Sequence, residues 1–235
     1  MLLRAHCPNV SPTQATMMTD QQVIELIEKE FREKTLGVTG QYLEIHSPIY
    51  SDNKIKVDRI DREGKDYNQD ELIVAYLPVL DEKFYFAVYI NPKEKEVLGV
   101  DTEAWHRVYF RATSDLSIDE LKSMTSLKPT EFWNKGDLSQ YGRRYTFSSF
   151  KILPNPEPDE FEDKLKKLLA VLEQDKDGVK RLVDKAHGYI QVAMNFHNGN
   201  GMIGGPNIDT DAIRRMSDMG LSINFDLYVD GNKFV

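Results

Sequence analysis

From Met18 the chain reads "MTDQQVIEL", and Val23, Leu26, Ile27 and Phe31 recur three and four residues apart, the spacing of one apolar helix face. Thr19 is placed to cap the first turn, Gln22 can reach back to it, and Met18 can staple to Val23. In this reading Gly37 and Gly40 end the helix. Beyond Gly40 the period shortens to about two in "QYLEIHSPIY", "NKIKVDRI", "DELIVAYLPVL" and "KFYFAVYIN", a run of strand patterns. The connectors "REGKDYNQ", "LDEK" and "NPKEKE" are polar and turn-forming, so the strands are expected to pair as antiparallel hairpins. The pattern predicts a small α+β domain over residues 18–104, a helix packed on an antiparallel meander. Residues 1–17 carry Pro8 and Pro12 without periodicity and read as a loose N-terminal tail.

The second half, residues 105–235, opens on "HRVYFRATS", another strand pattern. Ser117 and Glu120 have capping-box spacing before a short helix, and "RRYTFSSFKI" follows as a strand. "PNPEP" breaks the chain before a long helix whose stripe is Phe161, Leu165, Leu168, Leu169 and Leu172, with Val179, Leu182 and Val183 continuing it past Gly178. "GYIQVAMNF" is a strand, "IDTDAIRRMSDM" a helix capped by Asp209, and "LSINFDLYV" a last strand. The order is βαβ, helix, βαβ. It predicts a ferredoxin-like sheet of two split βαβ units with an extra helix between them.

Composition narrows the functions open to such a fold. No run approaches the roughly 18 apolar residues of a spanning helix, the N-terminus lacks a signal-peptide core, and Cys7 has no second cysteine, which together point to the cytoplasm. Residues 1–104 hold 12 Lys and Arg against 19 Asp and Glu, a net of −7, whereas residues 105–235 hold 18 against 19, a net of −1. The negative excess sits in the first half, much of it between Asp58 and Glu82, and such a surface repels nucleic acid and attracts basic partners. The acidic connector with Asp61, Glu63, Asp66, Asp70 and Glu71 is therefore the candidate partner-binding surface.

Other motifs lead away from catalysis. "GNGMIG" at Gly199–Gly204 has the spacing of a dinucleotide loop, but Gly205, Pro206 and Asn207 separate it from a helix with its own cap, so no cofactor is implied. The five histidines lack metal-ligand spacing, and Ser148 and Ser149 lack a nucleophile elbow. Lys135, Arg143 and Arg144 could meet an anion. No metal site and no catalytic residue is expected.

"LKPTEFWNKGD", residues Leu127 to Asp137, reads as a structural joint: Pro129 stops the helix, Trp133 covers the sheet rim, Gly136 frees the turn and Asp137 bonds its amides. This stretch, with the "LSIDELKSMTS" before it and "DTDAIRRMSDMGLSINFDLYV" at the C-terminus, resembles the bacterial family called domain of unknown function 4279, over about Trp105 to Val235. Tyr145 departs from the tryptophan found in many relatives. The family has no assigned chemistry. The resemblance implies a small cytoplasmic protein of the immunity type, one that binds and neutralises a cognate bacterial toxin with a basic domain. The other class left open is a small-molecule sensor or an enzyme with its site in the cleft between the two domains. Convergent polar residues with perturbed pKa values would distinguish it.

Overall fold

The computed structural model describes residues 18–65, 68–199 and 205–232. The tail at residues 1–17, most of the glycine loop and Asp66 lie outside the described residues. Helix α1 (Asp20–Glu33) begins in the expected capping box, with the Gln22 amide donating to Thr19 Oγ1 and the Thr19 amide to Gln22 Oε1. It ends earlier than expected, at Lys34 in the left-handed conformation. Gly37 then starts a second helix, α2 (Gly37–Ile45), which corrects the reading of "QYLEIHSPIY" as a strand. The cause is tertiary: Thr39 and Tyr42, one helical turn apart, are both buried, and the Tyr42 hydroxyl donates to Asp101 at 2.9 Å.

After a two-stranded ribbon, β1 (Tyr50–Ser51) and β2 (Lys54–Ile55), the meander forms from β3 (Arg59–Lys65), β4 (Glu71–Pro78), β5 (Phe84–Asn91) and the first part of β6 (Glu96–Ser114), all antiparallel. Phe84, Phe86, Val88 and Ile90 alternate along β5 into a core with Val23, Ile27 and Phe31. The helix-on-meander arrangement is thus present, with α2 added.

β6 is a 19-residue strand, and it crosses residue 104 without a break. Its first part pairs with β5, and its second part with β9 (Tyr189–His197) and β8 (Ser148–Ile152). β7 (Glu131–Trp133) adds to β8, and β10 (Ile223–Asp230) to β9. Helices α3 (Ile118–Ser123), α4 (Phe161–Leu172), α5 (Lys176–Ala186) and α6 (Thr210–Asp218) cover one face of this second sheet. There Val108, Phe110, Ala112, Phe150 and Val192 meet Leu165, Leu168, Leu169 and Leu182 in a second core.

The strand order differs from the ferredoxin-like expectation. β6 and β8 are direct antiparallel neighbours, and β9 and β10 are direct parallel neighbours, so neither βαβ unit is split by a strand between its members. The reason is length: α3 has only 6 residues and ends well before β8, so β7 and its hairpin turn the chain back beside β6, while α6 makes a full crossover.

Polar contacts tie the two halves together. Arg59 of β3 ion-pairs with buried Asp159 and donates to the Pro158 carbonyl at 2.8 Å, and Lys167 closes the other side of Asp159. His46 and His197, 151 residues apart, meet Nε2 to Nε2 at 2.8 Å in a buried contact beside Phe84.

Candidate functional site

A pocket of about 230 Å³ opens where the two halves meet on β6. β6 supplies Thr102, Glu103 and His106, the start of α4 supplies Glu160, Phe161 and Glu162, and β9 supplies Met194 and Phe196. Glu160 is the N-cap of α4 yet makes no side-chain cap bond, so its carboxylate is not committed to the helix amides. Glu162 accepts from the Asn207 amide at 2.8 Å, which fastens the segment before α6 to the pocket rim.

The electrostatics follow from crowding acids into a partly dry space. Burial, then Glu160, Asp101 and Glu162, push the Glu103 carboxyl up to about 7, against the opposing bond from the Ala104 amide. Glu160 is also raised, by loss of water and by Asp163, Glu162, Asp159 and Asp61. His106 is 8% exposed, and burial pushes it down to about 4, so it is neutral near pH 7. In the neutral ring Nδ1–H donates to the Asp159 carbonyl at 3.2 Å; Glu103 Oε1 lies 3.8 Å from the same nitrogen. No lysine or arginine lines the pocket among the described residues. The arrangement offers carboxylates to a cation and an aromatic and thioether wall to its apolar stem.

The acidic connector takes a different form from a free loop. Asp61 and Glu63 stand on strand β3; Asp61 Oδ2 accepts from Arg59 at 2.8 Å and Oδ1 from the Glu63 amide. Glu63, Asp70 and Glu71 are exposed, the last opening β4 opposite Lys65. None of them lines the pocket.

In the other quoted stretch, α3 stops at Ser123, ahead of Pro129, and β7 follows at Glu131–Trp133. Gly136 has φ +90°, Asp137 Oδ2 accepts from the Asn134 amide at 2.7 Å, and Asn134 Oδ1 in turn accepts from the Ile118 amide. Trp133 stacks on Tyr145, with centroids 4.5 Å apart.

Sequence reasoning missed Glu103, His106 and Glu160 because they converge from segments over 50 residues apart. The one available sign was a charged pair, Asp101 and Glu103, inside a strand pattern.

Among the described residues, no group of three or more His, Cys, Asp or Glu could hold a metal ion, and no helix is long and apolar enough to cross a membrane. No curated protein and no solved structure matches the chain. Residues 103–230, which carry every lining residue named above except Thr102, match the family described as Domain of unknown function (DUF4279), and with more than half its length matched the chain belongs to that family.

Proposed function

We propose that this chain is a non-enzymatic binding protein whose acidic pocket captures a cationic group. The observation that carries the reading is the convergence of Glu103, Glu160 and Glu162 on one pocket that no basic side chain lines among the described residues. Glutamates that raise one another's pKa are relieved when a positive charge enters between them. The volume of about 230 Å³ lies below the roughly 300–1,000 Å³ of pockets for drug-sized ligands, and it suits a single lysine or arginine side chain. A basic protein surface presenting such a side chain is the partner class we favour, as in an immunity protein that neutralises a basic toxin domain. Glu103, His106 and Glu160, convergent and shifted in pKa, also bear the sign of a small-molecule site between the halves, and the co-expression test below separates the two. Charge complementarity of that kind speeds encounter and rejects wrong partners. Glu63 and Glu71 are exposed on the meander, apart from the pocket.

The first test is a nuclear magnetic resonance titration with n-butylguanidine and n-butylamine, and with butyrate as the control. The two cations are expected to shift the amides around Glu103 and Glu160, and butyrate to leave them unmoved. Affinity should rise from pH 6 to pH 8, because Glu103 must lose its proton near 7 to attract the cation. Silence toward both cations at tens of millimolar would sink the reading. Co-expression with the product of an adjacent gene then separates a toxin from a small amine: protection by the wild type and not by Glu103→Gln/Glu160→Gln supports the toxin partner. Titration by the amines with no protection leaves the small-molecule sensor.

A further inference from the structure

We propose that the helix-free face of the C-terminal sheet binds single-stranded nucleic acid, with bases on the rings of Trp105 and Tyr109 and phosphates on Arg107 and Arg111, while Trp133, stacked on Tyr145, walls the strip at β7. Along β6, ring and cation alternate at 105, 107, 109 and 111, all on the face opposite Val108, Phe110 and the helices. Each step of two residues advances about 6.7 Å. The Arg107 guanidinium lies 5.5 Å from the Trp105 ring and 5.7 Å from Tyr109, and Arg111 lies 5.4 Å from Trp133 and 5.3 Å from Phe147. Lys151 sits 4.4 Å over Tyr109.

The charge of this strip is opposite to that of the chain. Glu131 meets Lys151 at 2.8 Å and Arg107 at 3.8 Å, while Arg111 has only Ser149 Oγ at 3.3 Å and no carboxylate among the described residues. Asp226 of β10 shares this face, in register with Arg107 through Ala193 of β9, and is engaged by Gln191 at 3.1 Å. Arg107, Arg111 and Lys151 thus face Glu131 across β6, β8 and β7, in a protein of net charge −8, and Glu103, two residues before Trp105 on the same face of β6, bounds the basic strip at that end. Trp133 itself is held in place by its stack on Tyr145, with the indole Nε1 buried. An open sheet that interleaves rings and cations stacks unpaired bases and pairs their phosphates. An acidic peptide would use the cations and leave the rings idle.

Both tryptophans of the chain, Trp105 and Trp133, belong to this strip, so intrinsic fluorescence reports on it directly. The test titrates the full chain with a ten-nucleotide oligothymidylate, with a duplex of the same length, with thymidine monophosphate and with polyglutamate. Quenching by the single strand alone is expected at 50 mM salt. If two phosphates are neutralised, affinity should fall roughly 7-fold between 50 and 200 mM salt. Arg107→Gln/Arg111→Gln should abolish that salt dependence and most of the binding. If that pair does not fold, Arg107→Lys/Arg111→Lys should keep the salt dependence and bind more weakly, since ammonium groups lack the planar stacking of guanidinium. No quenching by the single strand, an equal response to polyglutamate, duplex or mononucleotide, or unchanged binding by the arginine variants overturns the proposal.

Discussion

Glu103 is a carboxyl group that the fold holds against its own ionisation. Its folded pKa of about 7 stands above the ordinary 4.5, so the folded state keeps a proton that the unfolded chain has already released. That contribution to stability is fully present below pH 4.5 and is lost as pH rises through 7. Glu103→Gln is therefore expected to stabilise the protein above pH 7, on the order of 1 kcal/mol after screening, and to change little at pH 4. Thermal melts of both proteins at pH 4, 6 and 8 check this; a variant that melts lower at pH 8 contradicts it. The residue was hidden in the sequence for the same reason. Its environment is made by Glu160, 57 positions on, and no spacing rule connects a strand carboxylate with the cap of a distant helix.

At the scale of elements, local chemistry was legible where it acts locally. Thr19 with Gln22, Ser117 with Glu120 and Asp209 with the Ala212 amide cap their helices as the letters suggest, since each bond spans three residues. The α2 helix was not legible, because its hold is the buried Tyr42 reaching Asp101 across 59 positions. Asp175 shows the intermediate case. Its carboxylate accepts from the Gly178 amide at the start of α5, and also from the Ser126 amide at 2.6 Å and the Thr125 hydroxyl at 2.8 Å, in the loop after α3. A Cβ at residue 178 would fall 2.2 Å from that carboxylate, which is why glycine stands inside a helix there. These bonds hold Asp175 at about 2, below its ordinary 3.8, so the stability it adds is present above pH 3.8 and lost as pH falls through 2. Asp175→Ala is expected to cost about 1–2 kcal/mol at pH 7, measured by urea unfolding. A change within error would show the two elements to be held by packing alone.

For the molecule as a whole, the sequence reading puts a boundary at 104/105 because the order of elements changes there from a meander to βαβ units. The structure runs one strand through it, with a core on either side. β6 is legible as two strands because its burial partners change halfway, from α1 and α2 to α4 and α5. The ion pair of Arg59 with Asp159 and the meeting of His46 with His197 then bind the halves side to side. Unfolding is accordingly expected as one transition, with far-ultraviolet circular dichroism and the fluorescence of Trp105 and Trp133 tracing the same midpoint. Two separated midpoints would show that each core melts alone. The shared strand has a further consequence. Over its 19 residues it extends roughly 60 Å, and no linker interrupts it to act as a swivel. The halves must tumble as a single rigid rotor, so nuclear spin relaxation will return one rotational correlation time for amides on α1 and on α5 alike.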